Sequence, residues 1–186
     1  MKILLLNASS SSQKSWIYQI GDNLPDLSLK PLWEATIDWT YQEKTVELKV
    51  KTSRGELKVA LSNRERQTVT SQLLDTLQKG DTKVIDNLSE INIIGHRVVH
   101  GGEAYRTATM IAAKVIDEIA SFASFAPARN RVKLEEITAI EQILPDVPQV
   151  EVFDPAFHSQ NLTLPYSKKV YGASIKPIIP LLLLGF

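Results

Sequence analysis

The stretch Met1–Lys14, MKILLLNASSSSQK, decides how the rest of the chain is read. Lys2 to Leu6 has the composition of a buried strand, with Ile3 to Leu6 an unbroken apolar run. The run stops at Asn7, and four consecutive serines, Ser9 to Ser12, precede Lys14. A strand that ends in an amide, small hydroxyls and a lysine can present several donors to a phosphate without steric cost. The same residues also describe a serine-rich turn joining two strands of a hairpin. On this stretch alone both readings stand.

The bulk composition narrows the classes. A chain of 186 residues is long enough for one ordinary domain. Its 44% hydrophobic and 23% charged content is that of a globular protein, not a disordered one. Lys plus Arg and Asp plus Glu number 21 each, and that balance argues against nonspecific binding to nucleic acid or a membrane surface. With no cysteine, disulfides, thiolate catalysis and Cys-based zinc sites are excluded. Cytoplasmic residence fits. The first apolar run is too short for a signal-peptide core or a membrane span.

Ser15 to Ile20 has strand-like composition and can pair back on the first strand, and Gly21 to Lys30 reads as a turn-rich surface loop. Three alternating segments follow: Trp33, Ala35, Ile37 and Trp39 share one face, then Val46, Leu48 and Val50, then Leu57, Val59 and Leu61. Arg54-Gly55 is a hairpin turn between the last two. The period then changes. Val69, Leu73 and Leu77 form a helix stripe that Gly80 can close. Ile91 to Ile94 is a buried strand running into Gly95–Gly102; Ile111, Val115, Ile119 and Phe122 mark a second helix, and Leu134, Ile137, Ile140 and Leu144 a third. Pro145 and Pro148 bound a last strand, Val150 to Phe153, which runs into Asp154.

Three strands thus end in polar groups, at Asn7, Arg97 and Asp154. Ligands of open α/β sheets collect at the carboxyl ends of strands, so three such ends imply one cleft. Arg97, flanked by Gly95 and Gly101-Gly102, can hold a planar anion with its guanidinium fork, or can bridge to a structural carboxylate. His96 and His100 are four apart, but Gly95 and Val98-Val99 favour extended backbone and the glutamate of a helical zinc motif is absent. They read as hydrogen-bonded supports for the Arg97 loop. Asp154 can hold magnesium or its water, or cap the next segment.

MKILLLNASSSSQKS, GHRVVHGGE and VFDPAFH, in that order, resemble the acetate kinase family, and the likeness runs from Met1 to about Tyr171-Gly172. The resemblance implies the fold class: α/β, a ribonuclease-H-like domain of the actin-like phosphotransferases, with a mixed sheet and flanking helices. It implies reversible transfer of the γ-phosphoryl of ATP to acetate, giving acetyl phosphate and ADP, with Mg²⁺ as the metal. It further implies that Asn7 holds the magnesium and phosphate end of the nucleotide, that Ser10 and Ser12 line the phosphates and that Lys14 lies near the nucleotide. Arg97 would grip the acetate carboxylate, Val99 would contact its methyl group and Asp154 would be the catalytic aspartate. The family is homodimeric.

The sequence departs from the family pattern in places. Ser9 stands where the family usually has glycine, which takes backbone freedom from the phosphate loop. Ala126-Pro127-Ala128-Arg129-Asn130 replaces a segment carrying a leucine and a histidine, so Arg129 occupies the position of an active-site histidine. Pro155 replaces a threonine beside Asp154 and restricts the residue before it. The expected organisation is a domain over 1–172, with a β-rich insertion at 21–62, and an aberrant apolar tail at 173–186 in place of the family's second domain. An alternative is an inactive remnant that retains anion or subunit binding. A further alternative is preference for propionate or butyrate through a pocket enlarged at Ala128.

Overall fold

The computed structural model describes residues 1–21, 29–98, 109–111, 116, 127–153, 169–170 and 173–174. Strand β1 (Lys2–Ala8) lies inside an eight-stranded sheet, and its apolar run Ile3–Leu6 is wholly buried. The other strands are β2 (Ser12–Gln19), β3 (Trp33–Gln42), β4 (Thr45–Thr52), β5 (Glu56–Leu61), β6 (Ile91–Val98), β7 (Thr109–Met110) and β8 (Gln149–Phe153). Their order is β5-β4-β3-β2-β1-β6-β8-β7. Strands β1, β6 and β8 run parallel to one another, while β2 to β5 form an antiparallel meander on one side and β7 an antiparallel edge on the other. The sheet is mixed, as the sequence implies. A separate two-stranded pair joins β9 (Lys169–Val170) to β10 (Ala173–Ser174).

A run buried on both faces must meet apolar partners on both. Leu4 and Leu6 join Ile17, Trp33, Ile37 and Leu48 in the larger cluster, covered by helix α1 (Arg66–Gln78) through Val69, Leu73 and Leu77. Ile3 and Leu5 point to the other side, with Trp16, Tyr18, Ile93 and Val150. Helix α2 (Pro127–Ile143) packs beside α1, with Ile137 and Ile140 fully buried. Leu144 lies one residue past its end but still donates its N–H to the Ile140 carbonyl at 2.8 Å. Gly80 follows α1 with φ +71°, the left-handed conformation that ends a helix cheaply only without a Cβ. Thr52 closes the β4–β5 turn, its hydroxyl accepting from the N–H groups of Arg54 and Gly55, both at 3.1 Å.

Two differences from the sequence reading have a clear physical reason. Strand β2 begins at Ser12, three residues early, because the β1–β2 turn is so tight that Gln13 and Lys14 already pair with Ala8 and Asn7. Ile111 is not helical. It follows β7 and donates its N–H to Gln149 O at 2.9 Å, since apolar spacing cannot distinguish a helix start from a short edge strand. Val115, Ile119 and Phe122 lie outside the described residues, as does most of the expected loop at 21–30.

Candidate active site at the strand ends

The parallel strands β1, β6 and β8 bring their carboxyl ends to one edge of the sheet. Leu6 pairs with His96 and, one strand over, His96 pairs with Glu151 and Arg97 with Val152. One residue further along β1 is Asn7, so Asn7 and Arg97 are neighbours on adjacent strands. Asp154 follows the last residue of β8 directly in the chain and, like Val99 and His100, lies outside the described residues. At ~4.8 Å per strand, the tips of β1 and β8 are ~10 Å apart with β6 between them.

Alternation sorts the side chains by face. Leu5 pairs with Trp16 and Asn7 with Lys14, which puts Asn7, Lys14 and Ser12 on the face of the smaller apolar cluster. Ile93 belongs to that face, Ile94 and His96 to the opposite one, and Arg97 therefore returns to the face of Asn7. Four of the expected site residues thus share one face near one edge. Ser10 is exposed at the tip of the β1–β2 turn. The serine run is both a hairpin turn and a rim of this face.

That turn is closed by its own serines. Ser9 N–H donates to Ser12 O at 2.7 Å, and the Ser9 hydroxyl accepts from Ser12 N–H at 3.0 Å. The serine at position 9 therefore supplies a hydrogen-bonded closure where glycine would supply backbone freedom. Ser11 O accepts from Trp39 N–H at 2.9 Å. Among the described residues, the N–H groups of Ser10 and Ser11 have no hydrogen-bond partner, and both residues are exposed.

Beneath Arg97, on the helix side, lies a buried polar cluster. His96 is fully buried, with Nε2 2.8 Å from Gln149 Oε1 and Nδ1 3.4 Å from Glu136 Oε2. Lys133 Nζ donates to the same Glu136 oxygen at 2.8 Å. Burial pushes the Glu136 carboxyl up, but the Lys133 ammonium and the His96 ring outweigh it and hold the carboxyl below the usual range. Glu151 is also fully buried, and neither carboxyl oxygen has a hydrogen-bond partner among the described residues. Burial pushes its carboxyl up to about 7, with Lys133 pulling weakly the other way. His96 is thus hydrogen-bonded beneath the Arg97 strand, while His100, read with it as a support, lies outside the described residues.

The sequence reading missed Glu151, Lys133, Glu136 and Arg66. Lys133 and Glu136 fall on the same helix stripe as Ile137 and Ile140, the signal that could have marked them as buried. Arg129 lies in the first turns of α2. A cleft of about 480 Å³ lies on the helix side, between Trp39, Arg64 and Arg66 and the α2 residues Glu135 and Gln142. Apart from its contact with the serine turn through Arg66, it is behind the strand-end face, so its size does not make it the site.

The Acetokinase family profile matches residues 2–176. This chain belongs to the acetokinase family. It is 47% identical over 173 residues to an acetate kinase of Nostoc punctiforme, an alignment covering 92% of this chain and 42% of that relative. A Cyanothece acetate kinase is 48% identical over 172 residues, with 92% and 41% covered. The structure superposes on Porphyromonas gingivalis acetate kinase with TM-score 0.73 and 28% identity, over 89% of this chain and 41% of that one. It superposes on a propionate kinase from Francisella tularensis with TM-score 0.69 and 30% identity, over 84% and 38%. The chain therefore spans about two fifths of the length of the acetokinase relatives it matches.

Proposed function

We propose that this chain carries the acyl- and phosphate-binding half of an acetate kinase, which transfers the γ-phosphoryl of ATP reversibly to acetate. The observation that carries the reading is the common face and edge shared by Asn7, Ser12, Lys14 and Arg97, within a chain of the acetokinase family. Acetate is ionised near neutral pH, so its oxygen attacks phosphorus without a general base. The demand is to hold two anions in line.

Arg97 binds the acetate carboxylate through its planar fork, and Val99 contacts the methyl group. The Ser10 and Ser11 N–H groups, the Ser10 and Ser12 hydroxyls and Lys14 hold the phosphates. Asn7 would present an amide oxygen to the metal-bearing end of the nucleotide, and Asp154 would be the catalytic aspartate, positioning Mg²⁺ or its water. Among the described residues no cluster of three or more His, Asp or Glu could cage a metal. An amide and hydroxyls beside phosphate-facing N–H groups fit Mg²⁺, which keeps most of its waters and binds mainly through substrate phosphates. When bound, Mg²⁺ neutralises phosphate charge during transfer. Propionate is a second acyl substrate consistent with the likeness to a propionate kinase, because one methylene is worth only ~1–3 kcal/mol of discrimination.

The test is acetyl phosphate formation by this chain mixed with a polypeptide supplying the remaining length of the Nostoc punctiforme acetate kinase. Turnover that disappears with Arg97→Ala supports the reading. Failure of any such mixture to turn over, with both parts folded, refutes it.

A further inference from the structure

Arg66, the first residue of α1, reaches the serine turn from behind. Its Nη2 donates to Ser9 O at 3.0 Å and to Ser10 O at 3.1 Å. Its guanidinium carbon stacks 4.2 Å from the centre of the Trp39 ring, and Nε faces Glu135 of α2 at 3.4 Å. Nη1 is buried with no hydrogen-bond partner among the described residues. One side chain therefore joins the turn, β3, α1 and α2, and most of it is removed from water at the cost of an unsatisfied donor. A surface arginine satisfied by solvent would incur no such cost.

The consequence follows from peptide geometry. In a planar trans peptide the C=O of residue 9 and the N–H of residue 10 point in opposite directions, as do the C=O of residue 10 and the N–H of residue 11. Drawing both carbonyls toward Arg66, on the helix side, turns the Ser10 and Ser11 N–H groups outward. These are the two turn donors without partners among the described residues, while Ser9 and Ser12 spend theirs within the turn. Successive outward N–H groups form an anion-binding concavity.

We propose that Arg66 is a positioning residue: by clamping the Ser9 and Ser10 carbonyls it fixes two backbone donors for phosphate, and through its stack on Trp39 it ties their orientation to the packing of β3. The inference rests on the reading of the serine turn as phosphate-binding. Arg66 touches no phosphate itself, since its charge lies on the far side of the turn. Arg66→Gln removes the charge and the fork, Arg66→Lys keeps the charge but cannot span both carbonyls while stacking on Trp39. Glu135→Gln removes the ion pair and leaves the clamp.

Binding of Mg²⁺–pyrophosphate to the full chain, followed by ³¹P and ¹H–¹⁵N NMR alongside thermal unfolding, separates the roles. The clamp predicts that Arg66→Gln and Arg66→Lys weaken binding about tenfold or more and shift the free-state Ser10 and Ser11 amide signals. Glu135→Gln should leave binding within about twofold, whatever it does to the unfolding temperature. Folded Arg66 variants that bind pyrophosphate as the parent does, with unmoved Ser10 and Ser11 signals, overturn the inference and leave the phosphate reading intact. If the parent chain itself binds no pyrophosphate at the serine turn, the phosphate reading fails and the clamp with it.

Discussion

Replacing Glu151 by glutamine tests whether the buried cluster under Arg97 carries an acid that folding keeps protonated. The Glu151 carboxyl is fully buried on β8, in register with His96 and Thr109, and makes no hydrogen bond among the described residues. Burial pushes it up to about 7 from an ordinary 4.5. Between those values the folded chain binds more protons at this position than the unfolded chain, so stability falls as pH rises. The contribution is fully present below about pH 4.5 and lost as pH climbs through about 7. At about 1.4 kcal/mol per pH unit the loss is about 3 kcal/mol. Glutamine copies the shape of the protonated acid and does not titrate. Urea unfolding of the parent and Glu151→Gln should therefore give nearly equal stabilities near pH 4. Near pH 8 the variant should be more stable by about 2–3 kcal/mol. A difference that does not vary with pH, or a variant less stable than the parent near pH 8, would refute the reasoning.

Lys133→Met should act in the opposite direction. It strips the buried Glu136 carboxylate of its ammonium partner and should cost about 3–5 kcal/mol in denaturant unfolding at neutral pH, more than any exposed Lys→Met change such as Lys79→Met. Gly80→Ala should cost about 1–2 kcal/mol, because a Cβ there meets nothing within 4 Å and only the φ of +71° opposes it. A loss well beyond that range would show that packing, not backbone conformation, selects this glycine.

The strands were legible where burial imposes a simple pattern. Ile3–Leu6 reads as buried on both faces, and Trp33, Ala35, Ile37 and Trp39 read as one face of β3 because polar residues alternate between them. The α1 stripe and its glycine stop were legible for the same reason. What escaped depends on partners distant in sequence. Lys14 falls in strand β2 because the Ser9–Ser12 closure sets the register, which no local composition shows. Nothing in the β8 sequence marks Glu151 as buried, and nothing local directs Arg66 to Ser9 and Ser10, which only the fold brings to it. Of the expected site residues, Asn7, Ser12, Lys14 and Arg97 could be placed by alternation on one face. The alternation rule works at strand ends only after the register is known.

The most direct test of the shared strand-end face is a ¹H–¹⁵N NMR titration of this chain with acetyl phosphate and Mg²⁺. The account predicts that the Asn7 side-chain amide, the Ser10 and Ser11 backbone amides and the Arg97 Nε–H shift together and saturate at one ligand concentration. Shifts confined to the opposite face, at Trp39 and Gln142 around the cleft between α1 and α2, or saturation of Asn7 and Arg97 at different concentrations, would contradict it.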